Sequence, residues 1–274
     1  MMVEALVYFF VPALVGVLIG VASGLLGIGG GTVMVPIFRL AFGMSATMST
    51  ATSLFAIIPT SISGAISHVK GKTCIPALGI AAGLGGACLS PVGVWLAQLS
   101  PDWLVMLAAA LIIGSSALHM FKKAFKFPRA GQLAAEADAA APTADDSSLS
   151  RKQLLQGAAI GLVAGLASGY VGVGGGFIMV PLMLSIIGIP MRKASGTSLI
   201  AVMILAIPGV IEQGIIGNIN YLAGIAIVIG TIPGAVIGAR LVTKVPERTL
   251  RLLFGCFLIV AAVMLVLNEV GIFG

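Results

Sequence analysis

The sequence has very little charge for its length. Of its 274 residues, 9% are charged and 59% are hydrophobic, and the mean hydropathy is +1.15. A soluble domain carries charge on about 25% of its residues, because its surface must face water. The shortage of charge therefore excludes a soluble enzyme, a nucleic-acid-binding module and a disordered scaffold. We predict an all-α polytopic membrane protein whose partner is the lipid bilayer.

Residues for metal or covalent chemistry are also few. The three cysteines, Cys74, Cys88 and Cys256, have no CxxC-type spacing, so they predict neither a disulfide framework nor a zinc site. We expect them to act as small apolar residues. The nine acids lie in loops or near the ends of apolar runs, which leaves no paired carboxylates within the bilayer. We therefore predict no enzymatic activity, no metal and no cofactor.

Apolar runs are what the sequence has in abundance. They cover roughly residues 3–26, 32–43, 46–67, 74–97, 102–121, 152–171, 177–190, 194–216, 221–243 and 249–268. About 20 apolar residues are needed to cross a membrane as a helix, and eight of the runs are long enough. The runs 32–43 and 177–190 are shorter and follow glycine clusters. We predict half-helices, re-entrant segments or steep short helices there, and leave open whether they cross.

The polar stretch 122–151 separates the two sets of runs. It contains few large apolar residues, so it cannot bury enough surface to offset the entropy of ordering it. We predict a flexible linker without chemistry. The segment at Met1–Glu4 has no positive charge, which is unlike a secretory signal, and the first run is expected to stay in the membrane.

The two sets of runs are copies of each other at an offset of 145 residues. Identical residues at this offset include Ser23 and Ser168, Gly24 and Gly169, Met34-Val35-Pro36 and Met179-Val180-Pro181, and Thr52-Ser53-Leu54 and Thr197-Ser198-Leu199. The glycine clusters Gly27–Gly31 and Gly172–Gly176 also align. We therefore divide the chain into repeat 1 (residues 1–121), the linker (122–151) and repeat 2 (152–274).

The basic residues predict how the repeats are oriented. If all the basic clusters are cytoplasmic, 14 of the 15 lysines and arginines lie inside, and Arg39 is the exception. This requires each repeat to cross the membrane an odd number of times, so the repeats are inverted. We expect a cytoplasmic linker and two periplasmic termini. Inverted repeats with glycine-broken helices at matching positions are typical of secondary transporters.

The paired glycine clusters, each followed by Met-Val-Pro and later by Thr-Ser-Leu, resemble the sulfite exporter TauE/SafE family, also called the TSUP family. The resemblance covers nearly the whole chain except the linker. It implies an inner-membrane carrier of small sulfur-containing anions, such as sulfite, thiosulfate, sulfoacetate or other organosulfonates, often in the export direction.

The glycine clusters are candidate substrate sites on physical grounds as well. Each cluster opens a short helix, whose first N–H groups have no internal partner and carry the positive end of the helix dipole. Irregular backbone at membrane depth must line a cavity or be buried in protein. We predict an anion site at mid-membrane, formed by Gly29, Gly30, Gly31, Gly174, Gly175 and Gly176. The alternative is that these glycines only allow close helix packing.

Other polar residues extend this prediction. The hydroxyls of Thr52, Ser53, Thr197 and Ser198 can donate to an anion, or can bind neighbouring helices instead. Arg39 lies on an apolar segment and is a candidate substrate contact, although it also fits the external end of that segment.

Two residues near the ends of the third runs, His68 and Glu212, are candidates for ion coupling or for interfacial positions. His119 lies close to the linker and is expected at the interface.

The leading hypothesis is an alternating-access carrier of a small anion. A passive anion channel, or a carrier for a small carboxylate without sulfur, remains open, and so does a homodimer.

Overall fold

The computed structural model describes residues 2–125 and 150–269, with the side chains of residues 12–125 and 150–267. All regular elements in these ranges are helical. We number them α1 to α10: Met2–Leu26, Gly31–Phe42, Ala46–Lys70, Pro76–Leu99, Asp102–Phe125, Arg151–Val171, Gly176–Leu182, Met191–Ile216, Tyr221–Leu241 and Glu247–Glu269. The all-α prediction is confirmed for these ranges. The predicted linker lies largely outside them, but α5 continues four residues into it, to Phe125.

Seven described helices, α3 to α6 and α8 to α10, are long and apolar enough to cross a membrane, and α1 is also 25 residues long. Their outward faces are apolar, with side chains such as Leu111, Leu155 and Ile215 exposed. Lipid can cover such faces, whereas water cannot do so without a large cost. The polytopic membrane fold is therefore confirmed.

The two short runs form short helices, as predicted. Helix α2 has 12 residues and lies between Gly30 and Gly43, which both have left-handed backbone conformations, with φ of 85° and 61°. Helix α7 has 7 residues and continues as a π-helical turn, Met183–Ile187. Both helices contain a proline one turn inside, at Pro36 and Pro181.

Contacts between the repeats are reciprocal. Helix α1 packs on α9 as α6 packs on α4, and α3 packs on α9 as α8 packs on α4, while α3 meets α8 and α5 meets α10 directly. Each contact between two helices has a counterpart between the equivalent helices, with the two repeats exchanged. A two-fold axis between equivalent units requires this reciprocity. The duplication seen in the sequence is thus a pseudo-two-fold relation in space.

Glycines bring the paired helices very close together. On α1, Gly16, Gly20 and Gly24 face successive turns of α9 at Ile227, Thr231 and Ala235; on α6, the equivalent Gly161, Gly165 and Gly169 face α4 at Ala82, Gly86 and Ser90. A methyl group at any of these glycines would overlap the backbone of the facing helix. Both pairs are parallel, because residue numbers rise together along them.

Polar contacts at helix starts define the two ends of the bundle. The amide of Ala46 donates to Asp102 Oδ2 (3.2 Å), and the amide of Asn220 donates to Thr52 Oγ1 (3.0 Å). Helices α3, α5 and α9 therefore begin at one end, as does α1, which is parallel to α9. Because α2 leads into the start of α3, α1 and α2 form a hairpin that returns to the end where α1 began. Helix α2 is thus re-entrant.

The other four long helices begin at the opposite end, by equivalent contacts. The amide of Met191 donates to Glu247 Oε1 (2.6 Å), and the amide of Ile75 donates to Thr197 Oγ1 (2.9 Å). We call this end the basic end, since it holds every described lysine and arginine except Arg39: Lys70, Lys72, Lys122, Lys123, Arg151, Lys152, Arg192, Lys193, Arg240, Lys244, Arg248 and Arg251. The basic residues used to predict the orientation thus lie together at one end of the bundle. That this end is cytoplasmic stays a prediction.

Candidate functional site

The two glycine clusters meet at the centre of the bundle. The position that a Cβ atom would take at Gly31 lies 2.6 Å from the carbonyl oxygen of Val173, and at Gly176 the equivalent position lies 2.5 Å from that of Gly27. Residues 23–32 and 171–177 are all buried. We call residues 27–31 and 172–176 break 1 and break 2. They are in direct contact, and neither faces lipid.

Two equivalent side chains fix the depth of this contact. Ile57 of α3 and Val202 of α8 are fully buried, and each lies within 3.4 Å of the Cβ positions of both Gly29 and Gly174. Both residues lie near the middle of 25- and 26-residue helices. Gly29 and Gly174 therefore lie about halfway along α3 and α8, and the depth of the site in a membrane stays a prediction.

The backbone of the breaks depends on glycine. Gly29 and Gly30 have φ angles of 81° and 85°, and Gly174 and Gly175 have φ angles of 86° and 71°. An L-residue adopts this left-handed region at a cost of about 1–2 kcal/mol. The repeated positive φ values turn the chain sharply between two helices and leave its N–H groups outside any helical ladder.

Many of these N–H groups lack an acceptor. Within the described chain, no acceptor lies in hydrogen-bonding geometry for the amides of Ile28 to Thr32 in break 1 and its helix start, nor for those of Val173, Gly174, Gly175 and Phe177 in and beside break 2. Buried backbone N–H groups are rarely left unpaired in proteins. A cluster of them at one point is a site where a ligand can supply acceptor oxygens.

Side-chain hydroxyls without partners surround the same point. Ser23, Thr32 and Ser61 are fully buried, and the described structure offers their hydroxyls no hydrogen-bond partner. The Cβ of Ser23 lies 3.6 Å from the Cβ position of Gly30, and Ser61 Oγ lies 3.4 Å from that of Gly29. These hydroxyls were not among the predicted site residues. The identity of Ser23 and Ser168 across the repeats was the available signal.

The predicted hydroxyls have different environments. Thr52 and Thr197 accept from backbone amides that precede α9 and α4, so their oxygens secure helix starts in the opposite repeat. Ser198 Oγ lies within donating distance of two carbonyl oxygens, those of Gly27 (2.7 Å) and Ser195 (2.8 Å), and the contact with Gly27 holds the end of α1. Ser53, one turn along α3 from the Thr50 that packs on Gly172, is buried without a partner in the described structure.

The charged candidates lie away from the breaks. Arg39 is in the last turn of α2, eight residues and therefore about 12 Å along the helix from Gly31. Glu212 is half-buried near the end of α8, and the described structure provides no partner for its Oε2. The structure does not bring either residue to the central contact.

His68 lies at the basic end and connects three elements. Its Nε2 donates to the carbonyl oxygen of Gly24 (2.7 Å), three residues before break 1, and its Nδ1 lies 2.7 Å from Thr73 Oγ1. The ring is fully buried against Gly196 of α8. In repeat 2, the equivalent residues Gln213 and Asn218 form the corresponding pair, with 2.8 Å between Asn218 Nδ2 and Gln213 Oε1.

The described residues contain no group of three or more histidines, cysteines or acids that could hold a metal ion. No described lysine, arginine, aspartate or glutamate lies in the breaks either. The centre therefore offers neutral N–H and O–H donors rather than charge.

Comparison with known proteins agrees with this architecture. A family model for the sulfite exporter TauE/SafE matches residues 12–265. YunE of Bacillus subtilis, a probable membrane transporter protein, is 27% identical over 277 residues, which cover 97% of this chain and 99% of the relative. A probable membrane transporter protein of Haemophilus influenzae is 28% identical over 275 residues, or 93% and 97% of the two chains. No solved structure matches at a significant level. The chain belongs to the sulfite exporter TauE/SafE family of membrane transporters.

Proposed function

We propose that this protein is a secondary transporter that moves a small sulfur-containing anion, such as sulfite, thiosulfate or an organosulfonate, across the inner membrane. The observation that carries the proposal is the cluster of buried amide and hydroxyl donors without acceptors where the two breaks meet. The name of the family, sulfite exporter, supports the sulfur-containing substrate and the export direction.

The donor set suits an oxyanion. Sulfite and sulfonate groups each present three oxygen atoms with several lone pairs, so one small ion can accept from donors on both breaks at once. A hydrogen bond to a charged group contributes about 1.5–3 kcal/mol, and several together can offset the loss of hydration. Because no basic side chain lies in the breaks, we expect a monoanion to bind better than a dianion of the same size.

The closed centre favours a carrier over a channel. Residues 23–32 and 171–177 are buried, and Ile57 and Val202 fill the space between Gly29 and Gly174. An ion can reach the donors only if the repeats move relative to each other. We propose that they rock about the shared centre and expose it to one end at a time, as inverted repeats do in alternating access.

Of the two coupling candidates, His68 is better placed to respond to a proton. Its Nε2 donates to Gly24, close to break 1. Thr73 Oγ1 can donate to a neutral Nδ1 or accept from a protonated one. Both protonation states are therefore hydrogen-bonded. We propose that His68 couples proton binding to the movement of the α1–α2 hairpin.

The test is flux into proteoliposomes that contain the purified full chain, with a panel of sulfite, thiosulfate, sulfoacetate, taurine, acetate and chloride. We expect saturable movement of at least one sulfur oxyanion, and slower movement of acetate. Faster transport of acetate would favour the small-carboxylate carrier, and conductance without saturation would favour the channel. Transport of only neutral or cationic solutes would contradict the anion site.

Hydroxyl deletions test whether the substrate binds at the breaks. We expect Ser61→Ala and Thr32→Val each to raise KM about tenfold, since each removes a hydrogen bond to a charged group worth about 1.5 kcal/mol. Ser90→Ala is the matched control, because Ser90 is also buried with an unpartnered hydroxyl in the described structure but lies against Gly209. Equal KM values in all three variants would show that the hydroxyls of Ser61 and Thr32 do not bind the substrate.

A further inference from the structure

A second site lies on the lipid-facing side of the bundle, away from the breaks. A groove of about 470 Å³ opens between α5, α6 and α7. Its walls include Ile112, Val163, Ile178 and Leu182, and Val163 is 56% exposed. The groove is therefore an apolar depression on the lipid-facing surface of the bundle. It has room for part of an acyl chain.

The groove has a polar mouth at the basic end. Lys123 Nζ donates to Ser185 Oγ (2.7 Å), and His119 Nε2 lies 3.1 Å from the same oxygen. Ser185 Oγ itself donates to the carbonyl oxygen of Pro181 (2.6 Å). Since the hydroxyl proton is used on Pro181, Ser185 accepts from both neighbours and fixes the lysine and the histidine beside each other.

This mouth is not a by-product of the duplication. Ser185 lies in the π-helical turn, whereas the equivalent Leu40 lies in the regular α-helix α2. The residues equivalent to His119 and Lys123 are Met264 and Asn268. The two-fold architecture therefore requires neither the lysine nor the serine at this place. π-helical turns are also frequent at functional sites.

The mouth carries excess positive charge. Lys122 and Lys123 both lie in the last turn of α5, and Lys123 uses one of its three amine protons on Ser185, which leaves two for another acceptor. Among the described residues, no carboxylate lies within 4 Å of the Lys123 amine. Glu247, at the same end of the bundle, is bonded to Arg251 and to the amide of Met191.

We propose that this groove binds an anionic phospholipid. The phosphate would be held at Lys122 and Lys123, His119 would stay bonded to Ser185 beside it, and an acyl chain would lie between Ile112 and Val163. Basic pockets beside membrane helices at an interface are suited to anionic headgroups, and the lysine stems can cover apolar surface while their amines reach the phosphate. The site does not depend on the substrate of the transporter.

The test is lipid retention by the purified full chain in detergent, measured by native mass spectrometry after titration with phosphatidylglycerol or phosphatidylcholine. We expect stronger retention of phosphatidylglycerol by the wild type. Lys123→Gln should weaken it about fivefold, as loss of one lysine near a phosphate does. Lys244→Gln is the matched control, because Lys244 is exposed at the same end, in the α9–α10 loop, and it should leave retention unchanged.

A second variant tests the groove rather than the charge. Val163→Trp places a large ring in the groove at an exposed position and should reduce retention of phosphatidylglycerol without altering the melting temperature in lipid-free detergent. Equal retention of the two lipids by the wild type, or equal losses in Lys123→Gln and Lys244→Gln, would overturn the proposal. Displacement of the lipid by inorganic phosphate at similar concentration would also overturn it, because the site would then bind a soluble anion.

Discussion

Break 1 and break 2 follow the same backbone path, but different side chains surround them. The left-handed glycines recur at the same three positions, Gly27, Gly29 and Gly30 in one and Gly172, Gly174 and Gly175 in the other. Around break 1, however, Thr32 and Ser61 supply hydroxyls, and their equivalents in repeat 2 are Phe177 and Ala206. The shared backbone can serve both orientations of a rocking carrier, whereas the side chains make the centre asymmetric.

The contrast extends to how each break is fastened. Ser198 of α8 donates to the carbonyl oxygen of Gly27 and so holds break 1. Ser53, its equivalent on α3, makes no such bond to Gly172 in the described structure. At the basic end, the α1–α2 hairpin is also bound by His68. Break 1 thus has polar anchors that break 2 lacks, and the comparison predicts that loss of an equivalent hydroxyl affects the two hairpins differently, whereas separation of the breaks affects both alike.

The largest effect should come from separating the breaks. In Gly31→Ala the new methyl group would meet the backbone of Val173, and in Gly176→Ala it would meet the backbone of Gly27 and Ile28. At Gly31 the side chain of Ile57 is also in the way, but it can rotate, whereas the backbone atoms cannot yield unless the breaks move apart by about 1 Å. A displacement of that size can reduce activity about a hundredfold. We expect both variants to lose flux in proteoliposomes to a similar extent.

The matched control is Gly114→Ala in α5, where a Cβ atom has open space around it. This variant should transport normally. If Gly31→Ala and Gly176→Ala transported as well as Gly114→Ala, the contact between the breaks would have no role in binding.

A smaller effect should distinguish the two anchors. Ser198→Ala removes the hydroxyl that donates to Gly27 and leaves a buried carbonyl without this donor, which costs about 1–3 kcal/mol. Ser53→Ala removes a buried hydroxyl that has no partner in the described structure, so the free energy of unfolding should stay the same or rise. Reversible unfolding in mixed micelles measures both. Equal destabilisation of the two variants would mean that the breaks are fastened alike.

The apolar runs, the duplication and the meeting of the breaks could be predicted, because they follow from spacing along the chain. The partners of hydroxyls could not. Thr52 and Thr197 lie in matching Thr-Ser-Leu segments beside the predicted site, but each binds an amide that precedes a helix of the other repeat. Ser61 carries no pattern in the sequence, and only packing against Gly29 reveals its position. A contact across a two-fold axis depends on register between repeats, which a linear pattern does not contain.

The smallest change in rate, and the sharpest test of the asymmetry, should come from His68→Gln. Repeat 2 already has an amide side chain at this position, Gln213, bonded to Asn218, so an amide should be accepted at position 68 without loss of fold. At a fixed pH we expect the rate to change by less than about tenfold, which is less than about 1.4 kcal/mol. If His68 couples a proton to the hairpin, however, the dependence of transport on pH should become flat, because glutamine does not titrate. Glu212→Gln is the parallel variant for the other candidate and should keep the dependence of the wild type. A pH profile that survives in His68→Gln and is lost in Glu212→Gln would move the coupling role to the opposite end of the bundle.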